Sequence, residues 1–167
     1  MEIRAVTAEA DVVHARRLFL EYAQSLPVDL EDVGFSREVA ALPAPYRAPT
    51  GVLLLARDGA RMLGCAGVRA LEPGRIAELK RLFVRPEARG QGVAERLVRD
   101  AMAFAAGAGY AVLRLDTLPT MAAAQRLYER LGFQEIAPYA PVTWPGMRFM
   151  EVTLRPTEGA GADALQR

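Results

Sequence analysis

The stretch Glu78 to Ala94, ELKRLFVRPEARGQGVA, constrains this chain more than any other. Its first half, Glu78 to Val84, is β-rich and ends at the breaker Arg85-Pro86, which predicts a strand. Its second half, Arg89-Gly90-Gln91-Gly92-Val93-Ala94, opens an amphipathic pattern that predicts a helix from Gly90 to about Ala106. A strand, a short link, two glycines and a helix start form an anion-binding design. The glycines let backbone approach a ligand, and the unpaired N–H groups of the first turn point at it. The expectation is a diphosphate-bearing cofactor held here, with the rest of the chain bringing a substrate to it.

Bulk properties leave that anion site as a local matter. The net charge of 167 residues is only +1, so no overall field favours nucleic acid or an anionic membrane. The arginines cluster instead: Arg81, Arg85, Arg89, Arg96 and Arg99, the last two read as solvating a helix face. The single cysteine, Cys65, excludes an intramolecular disulfide, and with one histidine, His14, soft ligands are too few for zinc; no metal is expected. The chain begins with a strand-like EIRAV and no leader, and no apolar run approaches the roughly 20 residues of a spanning helix. One cytoplasmic domain is expected over residues 1–154, with a disordered tail at 155–167.

Taken in order, Glu2 to Val6 reads as a strand, and Thr7 as N-cap of a helix from Ala8 to about Ser25 with Val12, Ala15, Phe19 and Tyr22 on one stripe. A short helix from Ser36 to Leu42, capped by Ser36, precedes the proline-rich PAPYRAPT. The apolar run Gly51 to Ala56 predicts a strand buried on both faces. Asp58-Gly59 then signals a hairpin into Met62 to about Leu71, where Gly64, Cys65, Ala66 and Gly67 suggest close approach of another element or a bulge. Glu72-Pro73-Gly74 turns into the strand ending at Val84. The strand Tyr110 to Leu115 follows a helix and so runs parallel to Glu78–Val84. Pro119 opens a helix to about Leu131, and Phe133 to Ile136 and Met147 to Leu154 close the sheet.

Three cofactor classes use glycines before a helix. A nucleoside-triphosphate loop is excluded, because no Lys-Ser or Lys-Thr follows Gly92 at the required spacing. A dinucleotide turn is disfavoured by Glu95 at the third glycine position, by the link Arg85 to Arg89, and by the antiparallel meander before it. The third class fits. Arg89-x-x-Gly92-x-Ala94 after an LFV strand resembles the acyl-CoA-binding motif of the GNAT-superfamily N-acetyltransferases. Ala124-x-x-Leu127-Tyr128-Glu129-x-Leu131-Gly132-Phe133 is similar to a second segment of that superfamily. With the strand pattern, the resemblance runs from about Ile3 to Leu154.

The resemblance implies an α/β (α+β) fold: a mixed, mostly antiparallel sheet of about six to seven strands flanked by helices, with a splayed parallel pair around the cofactor. It implies acetyl-CoA as co-substrate, its pyrophosphate held by Arg89, Gly90, Gln91, Gly92, Val93 and Ala94 and its pantetheine by the strand edge Leu82, Phe83 and Val84. It also implies Tyr128 as the acid that protonates the departing sulfur, and Glu78 as the base. Alternation along the strand puts Glu78, Lys80, Leu82 and Val84 on one face, so Lys80 equally suits an ion pair with Glu78. Met121 stands where the family often has Asn, while Asp116 and Thr117 face the same cleft or cap a strand end. The implied acceptor is a small-molecule amine. Its walls are sought around Tyr22 to Phe35, Tyr46-Arg47 and Tyr139 to Trp144, with Arg47 and Arg148 as partners for a carboxylate. A non-catalytic acyl-CoA-binding or interaction module of the same fold stays open as the alternative, with a protein N-acetyltransferase behind it; a homodimer stays open as well.

Overall fold

The computed structural model describes residues 1–155. Seven strands form one sheet in the order β1-β2-β3-β4-β5-β7-β6. They are β1 (Glu2–Ala5), β2 (Val52–Asp58), β3 (Arg61–Glu72), β4 (Ile76–Val84), β5 (Val112–Thr117), β6 (Gln134–Ile136) and β7 (Arg148–Thr153). Every neighbouring pair is antiparallel except β4 and β5. The helices are α1 (Glu9–Gln24), α2 (Phe35–Ala41), α3 (Val93–Gly107) and α4 (Ala122–Arg130). This is the mixed, mostly antiparallel architecture with one parallel pair that the sequence implies.

The sheet carries a core on each face. Val93, Leu97 and Ala101 of α3 and Leu127 of α4 pack with Leu54, Val68 and Leu113 on one side. On the other, Ala15, Leu18 and Phe19 of α1 and Phe35 and Val39 of α2 pack with Leu53, Leu55 and Phe83. Strand β2 therefore divides its leucines between two cores, which is why its sequence shows no polar alternation. The two glycines within β3, Gly64 and Gly67, each have a steric cause. A Cβ on Gly64 would lie 2.3 Å from the Phe83 carbonyl oxygen, and one on Gly67 would lie 2.5 Å from the Tyr46 ring. Cys65 is fully buried in the α1–α2 core, and burial pushes its thiol far up.

Several helix starts differ from expectation. Helix α1 follows Ala8 with no side-chain cap, so Thr7 does not serve there. Helix α2 follows Gly34 in the left-handed region rather than a Ser36 cap, and the Ser36 amide instead donates to the Glu31 carboxylate at 2.5 Å. Helix α4 begins at Ala122 after Met121, three residues beyond Pro119. Two 3-10 turns, Leu30–Val33 and Ala44–Tyr46, fill the stretch that carries no clear periodicity. The expectation for the tail falls outside the described residues, Arg155 apart.

Candidate active site

The α3 start is built for an anion. Gly90 and Gly92 both take positive φ, 72° and 76°, and Gly92 caps the helix with no side chain. The first intrahelical bond there runs from the Arg96 amide to the Gly92 carbonyl at 3.1 Å. The amides of Val93, Ala94 and Glu95 therefore precede the ladder at the positive end of a 15-residue helix. A Cβ on either glycine would meet no protein atom within 4 Å, so packing does not explain them. Their backbone conformation does.

That space is a cleft of about 850 Å³. Its walls are the α3 start, the β4 end from Leu82 to Val84, the α1 C-terminal end and α4. The gap has a structural origin: β4 pairs with β5 only through Ile76, Ala77 and Glu78, while β5 continues along β7 as far as Thr117. Beyond Glu78 the β4 edge facing β5 has no strand partner, which leaves its backbone groups for the amides of an extended ligand.

A bulge shapes the same strand. Cys65 opposes Phe83 and Gly67 opposes Lys80, so Ala66 faces two residues, Arg81 and Leu82. Arg81 lies at φ +57°, in the left-handed region that a residue with a Cβ rarely adopts. The reversal changes the expected alternation. Leu79, Leu82 and Val84 all pack toward α3, so Glu78 and Lys80 do not share a face with Leu82 and Val84. Arg81 is held from the α2 layer: its Nε and Nη2 donate to Glu38 at 3.1 and 2.6 Å, and its guanidinium lies over the Phe35 ring. Burial would raise the Glu38 carboxyl, but the hydrogen bonds and charge of Arg81 outweigh it and hold the group below its ordinary value. The Tyr46 hydroxyl donates to the same carboxylate, and Tyr46 is only 2% exposed against Phe19, so it is a core residue and not a substrate wall.

Where the strands part, a side pocket of about 80 Å³ opens. Tyr22, Leu82, Met121 and Ala124 line both it and the cleft, so the two spaces meet there. Tyr128 lines the small pocket, packed on Phe133 with ring centroids 5.6 Å apart, and its burial pushes the phenol well above its ordinary value. Burial likewise pushes Tyr22 up to about 12. Lys80 and Asp116 face the pocket as an ion pair, Nζ to Oδ2 at 3.2 Å. Glu78 stands behind them. It is 3% exposed, with Lys80 Nζ at 3.1 Å and Arg69 Nη2 at 3.5 Å, and it lines neither space.

Eight of the nine residues expected at the cofactor line one cleft: Leu82, Phe83, Val84, Arg89, Gly90, Gly92, Val93 and Ala94. Gln91 does not; its amide nitrogen donates back to the Glu87 carbonyl at 3.1 Å. Of the arginine cluster, only Arg89 lines the cleft. Arg85 forks onto Glu21 at 2.8 Å through two nitrogens, and Arg96 and Arg99 pair along α3 with Asp100 and Glu95. Arg148 ties Gln125, Glu129 and Glu135 together, and Arg47 is exposed and lines neither space, so neither waits for an acceptor carboxylate in the pocket. Thr117 is buried, its hydroxyl donating to the Met121 sulfur at 3.6 Å. Trp144 latches the β6–β7 loop to the α1–α2 connection, Nε1 donating to Asp32 at 3.2 Å. Sequence reasoning missed Arg69 and the Arg81–Glu38 pair, which are joined only by sheet register and tertiary packing.

A sheet parted at a parallel pair, with a glycine-started helix across the gap, makes a cleft suited to an extended ligand with an anionic group. The chain belongs to the GNAT acetyltransferase family: residues 15–133 match that family's description, Acetyltransferase (GNAT) family. It is similar, at 34% identity, to an uncharacterized N-acetyltransferase of Schizosaccharomyces pombe, over 92% of this chain and 95% of that one. It is 30% identical to the N-acetylaspartate synthetase of Danio rerio over 75% of this chain, though that match spans only 45% of the synthetase. A GNAT family acetyltransferase from Elizabethkingia anophelis with acetyl-CoA bound shares the fold at a TM-score of 0.65 and 20% identity, covering 92% of this chain and 97% of that one. The chain is an acetyl-CoA-dependent N-acetyltransferase of this family, and among its described helices none is long and apolar enough to cross a membrane.

Proposed function

We propose that residues 1–154 act as one cytoplasmic domain that moves an acetyl group from acetyl-CoA directly to a primary amine of a small-molecule acceptor. The observation that carries this reading is the meeting of the 850 Å³ cleft with the 80 Å³ pocket beside Tyr128. The pocket holds roughly two to three waters' worth of liquid volume, which suits a head group and not a folded chain. The relative named N-acetylaspartate synthetase supports a small amino-bearing acceptor.

On this reading the amides of Val93 and Ala94, with Gly90 and Gly92 admitting the approach and Arg89 beside them, hold the diphosphate. The Leu82–Val84 edge orients the pantetheine. Acetyl-CoA supplies a thioester carbonyl at the junction. The amine lone pair forms the C–N bond and the C–S bonding pair leaves on sulfur. Tyr128, kept protonated by burial, gives its proton to that sulfur and regains one from the nitrogen. The proton that frees the amine lone pair leaves before attack, toward Asp116 and solvent, and Glu78 serves as base only from behind Lys80.

Thiol release from acetyl-CoA, followed across a panel of small primary amines, tests the reading. Amine-dependent release is expected; stabilisation by acetyl-CoA without release from any amine returns the chain to an acyl-CoA-binding module.

A further inference from the structure

We infer that the acceptor is an α-amino acid, its ammonium received by Asp116 and its carboxylate by Lys80. This rests on the N-acetyltransfer proposed above and goes on to name the acceptor's class. Three charged residues line the small pocket: Lys80, Arg81 and Asp116. Arg81 has its charge matched by Glu38 in the layer behind, which accepts from its Nε and Nη2. Apart from that matched pair, the pocket presents Lys80 and Asp116, 3.2 Å apart.

Counting donors and acceptors shows what that pair can still bind. A lysine ammonium has three donors and no acceptor. One of Lys80's donors goes to Asp116 at 3.2 Å, and Glu78 stands beside the same Nζ as an ion-pair partner at 3.1 Å. Donor capacity therefore remains on Lys80 for an anion in the pocket that it lines. An ionised aspartate is acceptor-only, with room for about four hydrogen bonds. Asp116 is a quarter exposed and receives one from Lys80, so it can take an ammonium as well.

Charge then selects the acceptor. Glu78 and Asp116 together balance Lys80 and the nearby Arg69. A simple amine arriving as an ammonium adds a cation next to Lys80, which is unfavourable in so enclosed a space. A zwitterion adds none. An α-amino acid carries its two charges one carbon apart and can lie antiparallel to the Lys80–Asp116 pair, each end on its opposite. Asp116 then touches the reacting nitrogen and is a catalytic residue, while Lys80 sets specificity. The carboxylate held at Lys80 also fixes the rotation of the amine toward the cleft, where Leu82 and Met121 join the two spaces.

The decisive comparison sets free amino acids against their own amides, which keep the ammonium and the shape but lose the anion. In the wild-type protein, kcat/KM for the acid should exceed that for the amide by about ten- to a hundredfold, the usual weight of a charge-assisted hydrogen bond. Lys80→Met should collapse that ratio toward one, and Lys80→Arg should keep it well above one. Equal wild-type turnover of acid and amide overturns the inference while leaving N-acetyltransfer standing; thiol release from no amine at all overturns both. Should Lys80→Met fail to fold, the wild-type ratio and Lys80→Arg decide the matter without it.

Discussion

The two spaces that meet at Tyr22, Leu82, Met121 and Ala124 are built from different materials. The cleft is made by backbone: the amides that open α3, the unpaired β4 edge and two glycines whose role is conformational. The pocket is made by side chains brought from α1, β4, β5 and α4: Tyr22, Lys80, Asp116 and Tyr128. A backbone site demands particular residue types at fixed spacing, so it recurs with its chemistry intact. A side-chain site can be rewritten one residue at a time without touching the other. On the proposed function, the division lets one scaffold keep its acyl donor and exchange its acceptor.

The contrast can be broken most severely at Gly92. Gly92→Val forces a β-branched residue to φ +76° and sets a side chain where no protein atom lies within 4 Å. The expected loss of acetyl-CoA affinity in calorimetry is at least about a hundredfold, near 2.7 kcal/mol, against a stability cost of about 1–2 kcal/mol. Affinity within a fewfold of wild type would dissolve the backbone-cradle claim. Tyr128→Phe sharpens the contrast from the pocket side. It should lower kcat by about a hundred- to a thousandfold while leaving the KM for acetyl-CoA near wild type, because Tyr128 lines the pocket and not the cleft. Glu78→Gln, acting through Lys80, should cost kcat only about tenfold; a larger loss than Tyr128→Phe would move the base back to Glu78 itself.

The smallest effect belongs to the layer behind both spaces. The Glu38 carboxyl is held below its ordinary value of 4.5 in the folded protein, so its pairing stabilises the fold above that pH. The contribution fades as pH falls below about 4.5 and through the folded value, where both states are protonated. Thermal melts between pH 6 and about 3 should show a steeper decline in wild type than in Glu38→Gln, and parallel declines would remove Glu38 from the account.

The same contrast explains what could be read in advance. The cradle was legible because glycine at positive φ has few substitutes, and the strand order because the crossover into β5 is constrained by handedness. A bulge was legible from the small residues Gly64 to Gly67, and the register does shift between Cys65 and Gly67, but its place on β4 was not. Arg81 sits among ordinary strand formers, and nothing in Leu-Lys-Arg-Leu-Phe marks the one residue at φ +57°. Without it, simple alternation carries Glu78 to the same face as Leu82 and into the cofactor's path. The outward signal was Gly64, whose missing Cβ leaves room for the Phe83 carbonyl; the sequence registers the gap but not its occupant. The Arg69–Glu78 and Lys80–Asp116 pairs join residues by sheet register, which no local spacing encodes.

Trp144 is the chain's single tryptophan, and its indole nitrogen ends on Asp32. The molecule thus carries its own optical gauge on the latch between the β6–β7 loop and the α1–α2 connection. Emission from that indole reports the latch without any added label, so a shift on adding acetyl-CoA or an amine would time the loop's response to each ligand separately.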